Sequence, residues 1–247
     1  MIKLFRKIRQ QLFLRGAFQG PATPVGRYLL YALGEIVLVV IGILIALQIN
    51  NWNTGRLERI EEQKSYRNIR QQIAEDRLEL AGVQEFNHYF SSQYEQASRI
   101  IAANDRSKLD SLALITMGLS QYSDFHRTGN IYETLVNSGD LRLLKNSDIP
   151  AKLQSLEMTY THLNRLEDIH WEIIINELSP ELRGVINYAT LRVEQPEKLY
   201  SVELQNLFIE SIFLTRGKDS IYHRALDEID AIIGLIDEEL ERRPGHQ

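Results

Sequence analysis

Cysteine is missing from all 247 residues. That excludes disulfides, thiolate nucleophiles and cysteine-bound zinc, and it is compatible with an oxidising compartment. Proline is scarce as well. Of six prolines only Pro150, Pro180, Pro196 and Pro244 lie beyond residue 27, so the intervening stretches are free to be helical. Strand-like alternation is nearly absent after residue 53. No P-loop, glycine-rich dinucleotide turn, G-x-S-x-G or H-E-x-x-H motif is present, so no cofactor, no catalytic set and a non-enzymatic chain are the expectation. A second long apolar run is also missing, which excludes a polytopic transporter.

Acid is absent from the first 34 residues, whereas Lys3, Arg6, Lys7, Arg9, Arg15 and Arg27 are basic. Of 28 basic and 33 acidic side chains, six and one fall before residue 36, which leaves 22 against 32 and a net charge of −10 for residues 36–247. A basic head and an acidic body point to different surroundings, and the acidic body argues against nucleic acid.

Between them lies one apolar stretch, with no charge from Ile36 to Gly55. Roughly 20 helical residues cross a bilayer core. Tyr28 and Tyr31 at one end and Trp52 at the other are placed as interface anchors. Basic residues before the span predict a cytoplasmic N-terminus and a body in the periplasm, with the span in the inner membrane of a Gram-negative cell. The apolar run is too long for a cleaved signal peptide, and no A-x-A-like site follows it. The expected layout is a basic cytoplasmic segment over 1–27, a transmembrane helix over 28–52 and a periplasmic domain over 53–247. Ile2, Phe5, Ile8 and Leu12 share one face of a basic amphipathic start, suited to an anionic leaflet or to topology alone. Glycine and proline over 15–27 interrupt the helix before the span.

Glu35 is the anomaly. It lies about 6 Å inside the inner interface if Tyr31 marks that surface, where an ionised acid costs about 2–3 kcal/mol. It can snorkel, take up a proton or face a partner helix. Gly34, Gly42 and Ala46 recur at multiples of four and form a small-residue packing face. Gln48, Asn50 and Asn51 add polar groups at the outer end. Membrane lipid is the first expected partner, and a second copy or an unknown membrane protein the next.

Heptad spacing dominates the body. Tyr66, Ile69, Ile73, Asp76, Leu80, Val83, Asn87, Phe90, Tyr94, Ala97 and Ile101 alternate by three and four, which predicts a helix from 56 to 103, possibly continuous with the span and about 70 Å long if straight. A second seam runs through Phe208, Ile212, Thr215, Asp219, Tyr222, Leu226, Ile229, Ile233, Ile236 and Leu240, in a helix starting near Val202 that Gly217 can interrupt. Between the seams, a short helix spans 110–123. Asn130 with Glu133 forms a capping box for a helix ending at Gly139. Ser147 or Asp148 caps a helix carrying Leu153, Leu156, Tyr160, Leu163 and Ile174 to Leu178. A short helix follows at "SPE" (179–181), then a loop at "EQPEK" (194–198). The predicted class is all-α: one transmembrane helix continuing into an extended periplasmic helical bundle. Two long seams also invite coiled-coil association between chains.

The span "GEIVLVVIGILIALQINNWN" (34–53) and the stretch "YETLVNSGDLRLLKNSDIPAKLQ" (132–154) resemble an uncharacterised family of bacterial single-pass membrane proteins, the domain-of-unknown-function family DUF6090. The resemblance implies an inner-membrane protein with a helical body and brings no activity or ligand. Glu35 and the Gln48–Asn53 stretch belong to its pattern.

Two sharper readings of the body remain as expectations. Glu85-Phe-Asn-His88 and Glu167-Asp-Ile-His170 match the Glu-x-x-His element of di-iron or di-manganese bundle oxidases, although Glu85 and His88 fall near the outer face of their seam. Asp124, His126 and Arg127, with Tyr122 and Phe125, read as a solvated loop or as the lining of a small-ligand cleft. Neither outranks a binding, sensor-like or scaffold module, or a plain structural tether.

Overall fold

The computed structural model of the chain describes residues 24–127 and 129–242, of which 24–27 and 29–31 by backbone alone. The expectations for residues 1–23 and for the side chain of Tyr31 lie outside the described residues. The described chain is all-α with one minimal hairpin. Its described α-helices are α1 (Pro24–Ala102), α2 (Leu109–Gly118), α3 (Ile131–Ser138), α4 (Asp148–Ile173), α5 (Ser179–Leu182) and α6 (Val202–Glu241). Two compact units divide at Arg59/Ile60.

In the first unit the described chain is the start of α1, which contains the one described helix long and apolar enough to cross a membrane. Ile36, Val40, Leu44, Leu47 and Ile49 are all about half exposed, and none of the described residues covers the apolar window.

The second unit is built on heptads. Every seam position of α1 from Tyr66 to Ile101 is buried except Val83 and Phe90, which are half-buried. α6 runs antiparallel to α1. Arg70 grips Asp237 at 2.6 Å, and one heptad on Arg77 grips Asp230 at 2.7 Å. The two seams thus face a common interior within one chain. α4 lies against both, with Leu153, Leu156, Tyr160 and Leu163 inward as expected.

The register of α6 departs from expectation. The buried positions include Leu204, Phe208, Ser211, Thr215, Lys218, Tyr222, Ala225, Ile229, Ile232, Ile236 and Glu239, an unbroken alternation of four and three, with Leu207, Ile212 and Ile221 buried beside it. Phe208, Ile212, Thr215, Tyr222, Ile229 and Ile236 of the expected seam are buried as expected. Asp219, Leu226, Ile233 and Leu240 are only half-buried. The helix turns Lys218 and Glu239 inward because each finds hydrogen-bond partners there, which hydropathy alone does not reveal. Gly217 does not interrupt α6, and Ser201 caps it, its hydroxyl accepting from Leu204 N at 3.1 Å.

Local signals explain the short elements. Asn130 Oδ1 accepts from Glu133 N at 2.9 Å at the start of α3, and Gly139 closes it with φ of 76°. α2 ends at Gly118, five residues short of the expected Ser123, because residues 119–127 turn inward instead. Residues Ile174–Leu178 form a π-turn continuing α4. The hairpin pairs Ile186 with Val193 around a tip where Leu191 takes φ of 59°, and Pro196–Tyr200 is a 3-10 turn where a loop was expected.

Two apolar clusters fill the interior. The first joins Tyr66–Leu80 of α1 to α3, α4 and the C-terminal half of α6. The second joins Tyr94–Ile101 to α2, the π-turn, the hairpin base and the first turns of α6. Between them, α1 contributes Asn87, α4 contributes Glu167 and His170, and α6 contributes Thr215 and Lys218, all buried. A polar layer thus divides the core.

Candidate functional site

The polar layer concentrates buried ionisable groups from several elements of the second unit. Heptad geometry puts it there. Asn87 occupies a seam position of α1, Lys218 and Tyr222 adjacent seam positions of α6, and Glu167 and His170 lie one turn apart on the inner face of α4. Segment 119–127 closes over them, with Ser123 and Phe125 buried.

The hydrogen bonds form one network. Glu167 Oε1 accepts from Phe125 N at 3.1 Å and from the Tyr222 hydroxyl at 2.9 Å. Tyr222 Oη also lies 3.0 Å from Ser123 Oγ, which donates to Asn87 Oδ1 at 3.1 Å. Asn87 Nδ2 donates to Thr215 O at 2.8 Å. Lys218 Nζ donates to Ser123 O at 3.0 Å and to His170 Nδ1 at 3.1 Å. Since Nδ1 accepts, the neutral ring carries its proton on Nε2. That Nε2 and Glu167 Oε2 are buried without a hydrogen-bond partner among the described residues. Tyr122 roofs the layer, its ring 5.9 Å from His170, 5.5 Å from Trp171 and 5.7 Å from Lys218 Nζ.

Burial sets the electrostatics. Desolvation pushes the Glu167 carboxyl up to about 7, against the pull of Tyr222 and Lys218. It pushes Lys218 down to about 8, with Glu167 and Asp124 opposing. His170 falls to about 3, through desolvation and the neighbouring ammonium, and is neutral. Desolvation and then Glu167 raise the Tyr222 phenol. The layer therefore holds a carboxyl and an amine that both titrate near neutrality.

The residues singled out in the sequence distribute differently. Glu85 and His88 do not join Glu167 and His170. His88 is exposed and lies 2.5 Å from Asp219, whereas His170 holds the Lys218 ammonium in the interior. A cation on His170 does not suit a metal-ligand set, and among the described residues no group of three His, Asp or Glu side chains is placed to hold a metal. Segment 122–127 is a partly solvated connection with Phe125 turned inward. Phe125 stacks 5.0 Å from Tyr160, Arg127 pairs with Glu157, Asp124 and Arg127 are partly exposed, and the ring of His126 stays in solvent. In the first unit, Glu35, Ala46, Gln48, Asn50, Asn51 and Trp52 are exposed, as is Tyr28. A Cβ on Gly34 or Gly42 would meet nothing within 4 Å. The polar layer was half visible in the sequence: Asn87 interrupts an otherwise apolar part of the α1 seam, but the apolar phase of α6 hid Lys218.

A smaller network explains part of the 132–154 stretch. Glu62, fully buried, accepts from Lys145 N at 3.0 Å and from the Tyr66 hydroxyl at 3.3 Å. Asn146 Nδ2 donates to Glu239 Oε1 at 3.0 Å. The turn between α3 and α4 is thereby fastened to α1 and α6.

A family profile matches residues 35–216, about three quarters of the chain. The chain belongs to the DUF6090 family. It is a family of unknown function, and the family is the one the span and mid-body stretches resemble. No curated protein and no solved structure matches the chain. The DUF6090 match opens inside the apolar stretch and takes in Asn87, Ser123, Glu167 and His170. It closes two residues before Lys218.

Proposed function

We propose that this DUF6090 member is a single-pass inner-membrane protein, with its N-terminus in the cytoplasm and a helical bundle in the periplasm, that works by binding rather than by catalysis. The observation that carries the reading is a contrast. The helices of the second unit bury their own seams, whereas the apolar residues from Ile36 to Ile49 are left uncovered by the described residues. Surface of that length and composition is suited to lipid. The basic first 27 residues and the acidic remainder support the orientation.

The binding role is a sensor-like or scaffold module that reaches its partner through the membrane segment, by self-association or with another membrane protein. Gly34, Gly42 and Ala46 supply small side chains on one broad face, and at Gly34 and Gly42 added side-chain volume meets nothing within 4 Å among the described residues. A second helix can approach closely there, with Glu35 at the border. The expected outcome is that Gly42→Leu lowers self-association several-fold in a membrane two-hybrid assay while membrane insertion is kept. An unchanged signal would count against the small-residue face.

A further inference from the structure

We propose that segment 119–127 is a proton-gated cover over the polar layer, clamped when Glu167 carries a proton and released when Glu167 loses it. The inference needs only the second unit and stands apart from the membrane placement.

The geometry of the clamp is specific. Between Gly118 and Ile131 the described backbone has no regular secondary structure, so the segment can lift without breaking a helix. Three hydrogen bonds tie it to the layer: Phe125 N to Glu167, Lys218 to Ser123 O, and Ser123 Oγ to Asn87, with Tyr222 Oη in polar contact with Ser123 Oγ. Two of the three end on Glu167 or Lys218, the layer's two groups that titrate near neutrality. Lifting the segment hydrates both. His170 remains against Lys218 between α4 and α6, since its hydrogen bond is to that side chain and not to the cover.

The groups facing Glu167 set the sign. From the cover come Asp124, which disfavours its charge, and Tyr122, which in turn feels Asp168 of α4. From α6 come Lys218, which favours its charge, and Tyr222, which donates to it. His170 on α4 is neutral, α1 presents the uncharged Asn87, and His88 is turned outward to Asp219. Desolvation outweighs the favourable contacts and holds the covered carboxyl near 7, while water returns it toward its ordinary 4.5. Between those values the covered state binds a proton that the open state does not. Closure is therefore fully favoured below 4.5 and loses that support as pH rises through 7. Lys218 has the opposite sense. Covered near 8 and open near 10.5, it restores closure as pH climbs across that interval. The cover is loosest between about 7 and 8. Glu167 Oε2, buried and without a hydrogen-bond partner among the described residues, is the oxygen left to take the proton.

Hydrogen exchange of the Phe125 amide in the full-length chain, solubilised in detergent, tests this directly. After correction for intrinsic exchange, protection is expected to be several-fold higher near pH 5.5 than near pH 7.5. Glu167→Gln is expected to abolish that dependence, while His88→Gln leaves it intact. Should Glu167→Gln fail to fold, infrared spectra of the unaltered chain serve instead. They are expected to show a buried carboxylic-acid band at pH 5.5 that fades with a midpoint near 7. Equal protection at the two pH values, protection that rises with pH, a dependence surviving in Glu167→Gln, or no acid band at pH 5.5 would each overturn the proposal.

Discussion

A carboxylate in each unit shows how context decides the fate of a charge. Glu167 is enclosed by α4, α6 and the cover, and burial raises its proton affinity. Glu35 stands exposed on α1 within an apolar stretch, one turn after Tyr31. In a bilayer its burial in charged form costs about 2–3 kcal/mol, which snorkelling or a partner helix can offset. Glu35→Gln is therefore expected to insert as the unaltered chain does, and Glu35→Lys to insert poorly, since the change adds a cation at the same depth. Glycosylation-mapped insertion assays read both, and equal insertion would favour simple snorkelling. Glu35 was conspicuous in the sequence because it broke an uncharged run. Glu167 was visible only as half of a Glu-x-x-His spacing, whose metal-binding reading fails because Lys218 bonds to His170. That lysine is brought in by an antiparallel helix 48 residues away in sequence, a distance over which local pattern carries no information.

At the level of the element, periodicity located the helices and misjudged one face. The α1 seam had one apolar phase and no competing one, and the structure buries it as expected. In α6 two adjacent phases were both apolar: Ile232 and Ile233 sit side by side, as do Ala225 and Leu226. The choice between them rested on hydropathy, whereas the fold chose the phase that pairs Lys218 and Glu239 with buried partners. The difference is measurable. Ile232 is fully buried and Ile233 only partly. Truncating a buried isoleucine costs about 2–5 kcal/mol through lost contacts and the cavity left behind. Urea unfolding is expected to place Ile232→Ala in that range and Ile233→Ala well below it. The reverse order would restore the phase that hydropathy favours. The cap at Asn130 and the turn at Gly139 were legible because each rests on a residue-specific backbone requirement. The hairpin was not, because its strands are two residues each and leave no alternation to detect.

For the molecule as a whole, one helix and one helical unit have to be given surroundings. The second unit satisfies its seams internally: Arg70–Asp237 and Arg77–Asp230 pair α1 with α6 one heptad apart, and two apolar clusters flank the polar layer. The heptads that invited association between chains are thus engaged within this one. Among the described residues nothing covers the apolar stretch of α1, and lipid is the surrounding that its length, its flanking aromatic residues and the charge asymmetry suit. Membrane residence and orientation underlie the proposed binding role, so they should be measured first. Twin fusions at the C-terminus read both: alkaline phosphatase, active only outside the cytoplasm, and green fluorescent protein, fluorescent only when it folds inside. With the chain fractionating with membranes, the phosphatase fusion is expected to be active and the fluorescent fusion dark. A bright fluorescent fusion with an inactive phosphatase, or a mature chain that begins beyond Trp52, would contradict a permanent anchor with the body outside.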